Sequence, residues 1–188
     1  MREAEVVRET LETRVRVRVN LDGSGRVRSS TGIGFFDHMV ETMMFYAGFD
    51  GEVEAAEKRW VGGHHVIEDV GIALGEAVRR ALGGSSYARF GEAVTPMDEA
   101  LVLASIDISG RPVAVVDMPG GEVGGVMVED LAHFIESLAR SLAASIHVVT
   151  LRGGNTHHVV EAAFKSLGRA LRAAVAPSSR LESLKGVL

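Results

Sequence analysis

Val15, Val17 and Val19 alternate with Arg14, Arg16 and Arg18, the period-two pattern of a strand that buries one face. Residues 21–26 (LDGSGR) then read as a hairpin turn. After Gly32-Ile33-Gly34, residues 35–47 read as a helix, and Val53 to Ala56 as another strand. Across residues 64–82 the apolar positions Ile67, Val70, Leu74, Val78 and Leu82 recur at spacings of three and four, which marks an amphipathic helix. Gly83-Gly84 stops it.

The second half repeats this order. Residues 100–108 read as a strand, Ser109-Gly110-Arg111 as a turn and 112–118 as the return strand. A helix over 129–145, a strand over 146–151 and a helix over 156–175 follow, the last with Asn155 as its N-cap. Ser24-Gly25-Arg26 is echoed by Ser109-Gly110-Arg111, and His38-Met39-Val40-Glu41 by His133-Phe134-Ile135-Glu136. The pentapeptide His64-His65-Val66-Ile67-Glu68 returns as His157-His158-Val159-Val160-Glu161. Landmarks recurring in one order indicate an internal duplication. Each half reads as β-β-α-β-α, which favours an α+β fold with layered sheets over a doubly wound parallel sheet. The expectation is a single domain of two repeats, about 1–88 and 89–176, with a short tail over 177–188.

Composition narrows the function. The 188-residue chain is 46% apolar and 24% charged, as soluble globular proteins are. It holds no apolar run of the ~20 residues a bilayer span needs, and residues 1–13 are charged rather than signal-like. A cytoplasmic protein is expected. A net charge of -5 argues against nucleic acid as a partner, because phosphate backbones demand a basic face. With no cysteine, disulfides and thiolate metal sites are excluded. Any metal must sit on imidazole and carboxylate.

The duplicated pentapeptide supplies both. On a helix turning about 100° per residue, His64 and Glu68 fall within about 40° of each other, whereas His65 points about 100° away from His64. Adjacent imidazoles therefore serve two different ions. The repeat predicts two metals, each drawing ligands from both halves. Of the seven histidines, six fall at repeat-related positions: His38 and His133, His64 and His157, His65 and His158. With Glu68 and Glu161 they give three imidazoles and one carboxylate per ion, leaving room for water or substrate, as catalytic sites do. His147 reads as an ordinary strand histidine. Nitrogen and oxygen donors suit Mn, Fe, Co, Ni or Zn alike.

These residues, in this order, resemble the imidazoleglycerol-phosphate dehydratase family of histidine biosynthesis. The resemblance runs through Arg8-x-Thr10-x-Glu12-Thr13, Asn20-Leu21-Asp22-Gly23, Phe35-Phe36-Asp37-His38-Met39 and His64-His65-x-x-Glu68-Asp69. It continues in Pro96-Met97-Asp98-Glu99-Ala100, Ser109-Gly110-Arg111-Pro112, Asn155-x-His157-His158-x-x-Glu161-Ala162 and Lys185-Gly186-Val187-Leu188. It implies a duplicated fold of the ribosomal protein S5 domain 2-like kind, two sheets flanking a central helical layer. It implies two Mn2+ ions per active site and a large homo-oligomer of twenty-four subunits with metal sites at subunit interfaces. The implied reaction is dehydration of D-erythro-imidazoleglycerol phosphate to imidazoleacetol phosphate. The resemblance assigns proton transfer to Glu12, and phosphate binding to Arg89, Arg111, Ser183 and Lys185. Without it, Glu12 reads as a solvated carboxylate and the two arginines as surface residues. Asp37, Asp69 and Asp98 either orient imidazole ligands or cap and hydrogen-bond locally.

The chain departs from the family pattern at three places. Gly62-Gly63 precedes the first His pair where many relatives carry two aspartates, Tyr46 stands where the family has a histidine, and Leu184 replaces a hydroxyl residue before Lys185. Two other readings of the metal constellation are a dinuclear hydrolase, whose sites are usually richer in Asp, and a non-catalytic metal-binding protein.

Overall fold

The computed structural model describes residues 1–59, 62–179 and 183; Lys185 and Leu184 lie outside the described residues. In the first half the order is β1 (Glu3–Glu9), β2 (Thr13–Asn20), β3 (Val27–Ser30), α1 (Gly34–Ala47), β4 (Asp50–Glu57) and α2 (His64–Leu82). The second runs β5 (Phe90–Met97), β6 (Ala100–Asp107), β7 (Val113–Asp117), the two-residue strands β8 (Glu122–Val123) and β9 (Val126–Met127), then α3 (Val128–Leu142), β10 (Ser145–Arg152) and α4 (Thr156–Ala174). The sheets share one topology. The first is ordered β1-β2-β4-β3 and the second β5-β6-β10-β7. In each, the last strand of the order lies parallel to its neighbour and the other pairs are antiparallel.

Two expectations are corrected. Each four-stranded sheet has one more strand than β-β-α-β-α allows, because β1 and β5 add an outer edge, and the second half also carries the two-stranded β8-β9 sheet. Only Val6 of β1 is buried, and the buried positions of β5 are Gly91, Ala93 and Thr95, too small or polar to register as an alternating apolar pattern. Gly91 is small for a reason: a Cβ there would stand 2.1 Å from the Ala170 carbonyl oxygen of α4. Second, residues 21–26 are not a hairpin. β2 and β3 are separated by β4, and β6 and β7 by β10, so both connections cross over a later strand, and β7 is not a return strand to β6.

The helices are shared between the copies. α2 packs on β1 and β2 and also along α3, whereas α4 packs on β5 and β6 and along α1. Glycines allow these approaches. A Cβ on Gly75 would lie 2.7 Å from the Leu138 carbonyl oxygen of α3, and one on Gly168 only 2.2 Å from that of Met43 in α1. Between them Phe134 meets Phe36 edge-on at 5.3 Å and stacks on Phe164 at 5.7 Å. All three rings are fully buried, so the centre of the core joins first-copy to second-copy helices. Truncating such a ring costs about 3–5 kcal/mol.

Candidate metal centre

The two His-His pairs open α2 and α4, and exchanging helices between the copies decides what faces them. His64 and Glu68, one turn apart on α2, are met by His133 from α3. One ligand atom from each of the three can be chosen so that all lie within 4.8 Å. His133 stacks on His64 at 4.9 Å between centroids, and its Nε2 is 3.4 Å from Glu68 Oε1. Asp130 accepts a 2.7 Å hydrogen bond from His64 Nδ1, and Glu136 stands 3.3 Å from His133 Nδ1. A carboxylate on one ring nitrogen fixes the tautomer and leaves the other nitrogen as donor to a metal.

The second His–Glu turn is less closely assembled. His157 Nε2 and Glu161 Oε2, one turn apart on α4, are 3.1 Å apart, and His38 of α1 is close enough to act on the Glu161 charge. Burial pushes the Glu161 carboxyl up, but Lys165 at 2.8 Å, His157 and His38 outweigh it and hold the group below its usual range. Phe35 packs on His157 at 5.4 Å. Both groups thus combine His and Glu of one copy with a histidine of the other.

His65 and His158 turn aside to carboxylates of their own copy. His65 Nδ1 lies 2.8 Å from Glu12 Oε2, though at an angle that makes no hydrogen bond. Glu12, His65, Glu68 and Asp69 share a pocket of about 460 Å³ with Arg8 and Arg59. His158 Nδ1 is 2.9 Å from Glu99 Oε2, and its Nε2 is 3.5 Å from Asp98. Glu99 also accepts the Asn155 backbone N–H at 2.6 Å. That N–H first, then His158, holds the Glu99 carboxyl down at about 2, while Glu99 raises the His158 imidazole above its ordinary value.

The three aspartates divide. Asp98 faces an imidazole. Asp37 accepts from Ser29 Oγ and the Thr31 N–H, bracing the entry to α1. Asp69, nearly buried, is held by Arg8 Nε at 2.6 Å and by the Thr13 hydroxyl, which ties α2 to the β1–β2 connection that carries Glu12. His147 is exposed on β10. Asn155 caps α4 as expected, its side chain accepting from the His157 N–H. Asp130, Glu136, Lys165 and the role of Glu99 escape sequence reasoning. The available signals were that Glu136 repeats Glu41 three residues after a paired histidine and that Glu99 directly precedes β6 as Glu12 directly precedes β2.

The phosphate-binding candidates stand elsewhere. Arg89 adopts a left-handed backbone, φ 73, secured by its N–H on the Ala174 carbonyl at the end of α4 and by Ile108 N–H on its own carbonyl. Its guanidinium grips Asp107 with two bonds, at 2.6 and 3.1 Å. Arg111 is exposed beyond β6, its carbonyl accepting from Ser145. Ser183 is the one tail candidate among the described residues. His157 and Ala174 are 17 residues apart on α4, so Arg89 lies about 25 Å along the helix from the second His pair.

The fold and site define an internally duplicated α+β protein whose copies trade helices to build imidazole–carboxylate groups suited to metal ions. A family model for imidazoleglycerol-phosphate dehydratase matches residues 31–171. A relative of that name from Azorhizobium caulinodans is 48% identical, covering 100% of this chain and 99% of that protein. One from Metallosphaera sedula is 44% identical over 100% and 99%. The solved Pyrococcus furiosus structure, in complex with (S)-C348, superposes with a TM-score of 0.85 at 44% identity, covering 97% of this chain and 100% of that one. The Staphylococcus aureus structure gives 0.82 at 28% identity over 94% and 99%. The chain belongs to the imidazoleglycerol-phosphate dehydratase family.

Proposed function

We propose that this chain is a manganese-dependent hydro-lyase of histidine biosynthesis, converting D-erythro-imidazoleglycerol phosphate and releasing water and imidazoleacetol phosphate. The observation that carries the reading is that the His64–Glu68 turn is completed by His133 from the opposite copy, while His38 approaches the repeat-related His157–Glu161 turn closely enough to act on its charge. Nitrogen and oxygen donors with carboxylates behind the rings fit divalent first-row ions. His64, Glu68 and His133 would hold one ion; His38, His157 and Glu161 the other. Two Mn2+ ions so bound would supply Lewis-acid stabilisation of negative charge on the substrate ring.

The protein side chains do the rest. Glu12, in the pocket with His65 and Glu68, takes and returns the carbon-bound proton. Arg89, Arg111, Ser183 and Lys185 hold the phosphate, arginine offering two-point donation.

Geometry supports self-association. His65 and His158 turn away from the three-residue groups of their own chain, so each is available as the fourth ligand of a neighbour's ion. Arg89 is about 25 Å along α4 from His157, too far to grip the phosphate of a substrate whose ring sits at that His pair. One active site therefore takes its metal ligands and phosphate clamp from different copies of the chain. The outer face of the second sheet, where Phe90, Val94, Val113 and Val115 are exposed, offers apolar surface for such contacts. We take the whole chain as one cytoplasmic catalytic unit of two repeats, about 1–88 and 89–176, plus a tail; among the described residues no helix is long and apolar enough to cross a membrane.

Incubating pure protein with imidazoleglycerol phosphate and Mn2+ tests the reading. Appearance of the acetol product, absent without metal, supports it. Phosphate release in its place would indicate a hydrolase, and bound metal without turnover a storage protein.

A further inference from the structure

The duplication places a carboxylate behind the second histidine of each pair. Glu12 directly precedes β2 and Glu99 directly precedes β6, and each puts Oε2 within 2.9 Å of Nδ1, of His65 and His158 respectively. Beyond that the copies differ. Glu99 also accepts the N–H of Asn155, the residue whose side chain caps α4. Its approach is built into the backbone, because a Cβ on Gly154 would stand 2.3 Å from Glu99 Oε1 and 2.4 Å from its Cγ. The α2 cap, Gly63, has no side chain to do the same work.

We propose that Glu99 is a positioning residue for metal binding: one oxygen fixes the capping loop of α4 and the other fixes His158 as the Nδ1–H tautomer, presenting Nε2 as a ligand. Glu12, its repeat counterpart, accepts no backbone N–H among the described residues and is left to move protons. Two copies of one ancestral carboxylate thus do different work. The inference rests on the metal-binding reading of His158 given above.

The chemistry identifies the informative substitution. In Glu99→Gln the amide must turn its NH2 toward either the Asn155 N–H or the His158 Nδ1–H. Relieving the second clash moves the imidazole proton to Nε2, which then cannot bind an ion. Mn2+ titration by calorimetry, with bound-Mn2+ EPR as the spectroscopic readout, should show affinity falling 10- to 100-fold for the His158-dependent ion, as loss of such partners does elsewhere. The helix content and melting profile should stay close to wild type. Gly154→Ala, which displaces the carboxylate without removing it, should weaken Mn2+ in the same direction and provides the test if Glu99→Gln fails to fold. Glu12→Gln should leave Mn2+ affinity within about twofold. Wild-type Mn2+ affinity and an unchanged EPR signal in both Glu99→Gln and Gly154→Ala would overturn the proposal while leaving the metal-site reading intact. Wild-type protein that binds no Mn2+ at all would overturn both.

Discussion

His133, from the second copy, lies over His64, from the first, with ring planes 24° apart. Asp130 of α3 holds the His64 ring from the facing helix, and Glu136, one turn along α3, approaches His133. Replacing His133 with Ala should remove the ion assigned to His64 and Glu68 and leave that of His157 and Glu161. Metal analysis after dialysis should fall from two Mn per chain to one. Retention of both would separate His133 from metal binding.

Glu12→Gln should keep metal content and assembly and lower turnover by about 10²–10⁴-fold, the usual contribution of a general acid–base group. Steady-state kinetics beside metal analysis makes the comparison. Rates close to wild type would reassign the proton transfer.

Protonation of the second pair has a definite sign. A histidine raised on folding stabilises the fold below its unfolded pKa and loses that contribution as pH rises through the folded value. In metal-free protein, His158 should therefore titrate above 6.5, and Glu99→Gln should bring the midpoint down. Glu99 works oppositely: its contribution is present above 4.5 and disappears as pH falls toward about 2. NMR of the imidazole resonances reads the first midpoint directly, and a His158 midpoint indifferent to Glu99→Gln would contradict the pairing.

Chelation should abolish activity and, with ions bridging copies, reduce particle size by light scattering. An unchanged radius after complete metal removal would show that assembly does not depend on the ions.

Gly168→Ala should force α4 off α1, because the new methyl meets the Met43 carbonyl. Overpacking of this kind costs about 1–3 kcal/mol, several degrees in melting temperature for a chain of this size. Gly84→Ala, with nothing near its Cβ, is the matched control and should melt close to wild type.

The elements legible in the sequence were those with strong periodicity. α2 and α4 were marked by apolar spacing and by the paired histidines at their starts, and β2 by its Val–Arg alternation. β1 was not, because Val6 is its one buried position, nor was β5, because inward Gly91 accepts close helix backbone instead of contributing apolar bulk. The crossover of β2 to β3 was illegible for another reason: nothing local in residues 21–26 says that β4 will later insert between them. At the site, repetition exposed the histidines and their glutamates. Asp130 carries no comparable mark, since a carboxylate one helix turn before His133 looks like any solvated acid until α3 is laid along α2, and Glu136, although it repeats Glu41, gave no sign that it would face the His133 ring. Lys165 likewise looks like a surface lysine until it meets Glu161.

The long α4 carries His157 at one tip and abuts Arg89 at the other, so under the proposed sharing of sites between subunits a lesion at either tip should harm a different catalytic pocket. Two inactive variants, His157→Ala and Arg89→Ala, should therefore rescue each other when co-expressed, as some pockets in the mixed particles inherit an intact half from each parent. Blending the separately purified, fully assembled variants should restore nothing until the particles are dissociated and allowed to reassemble.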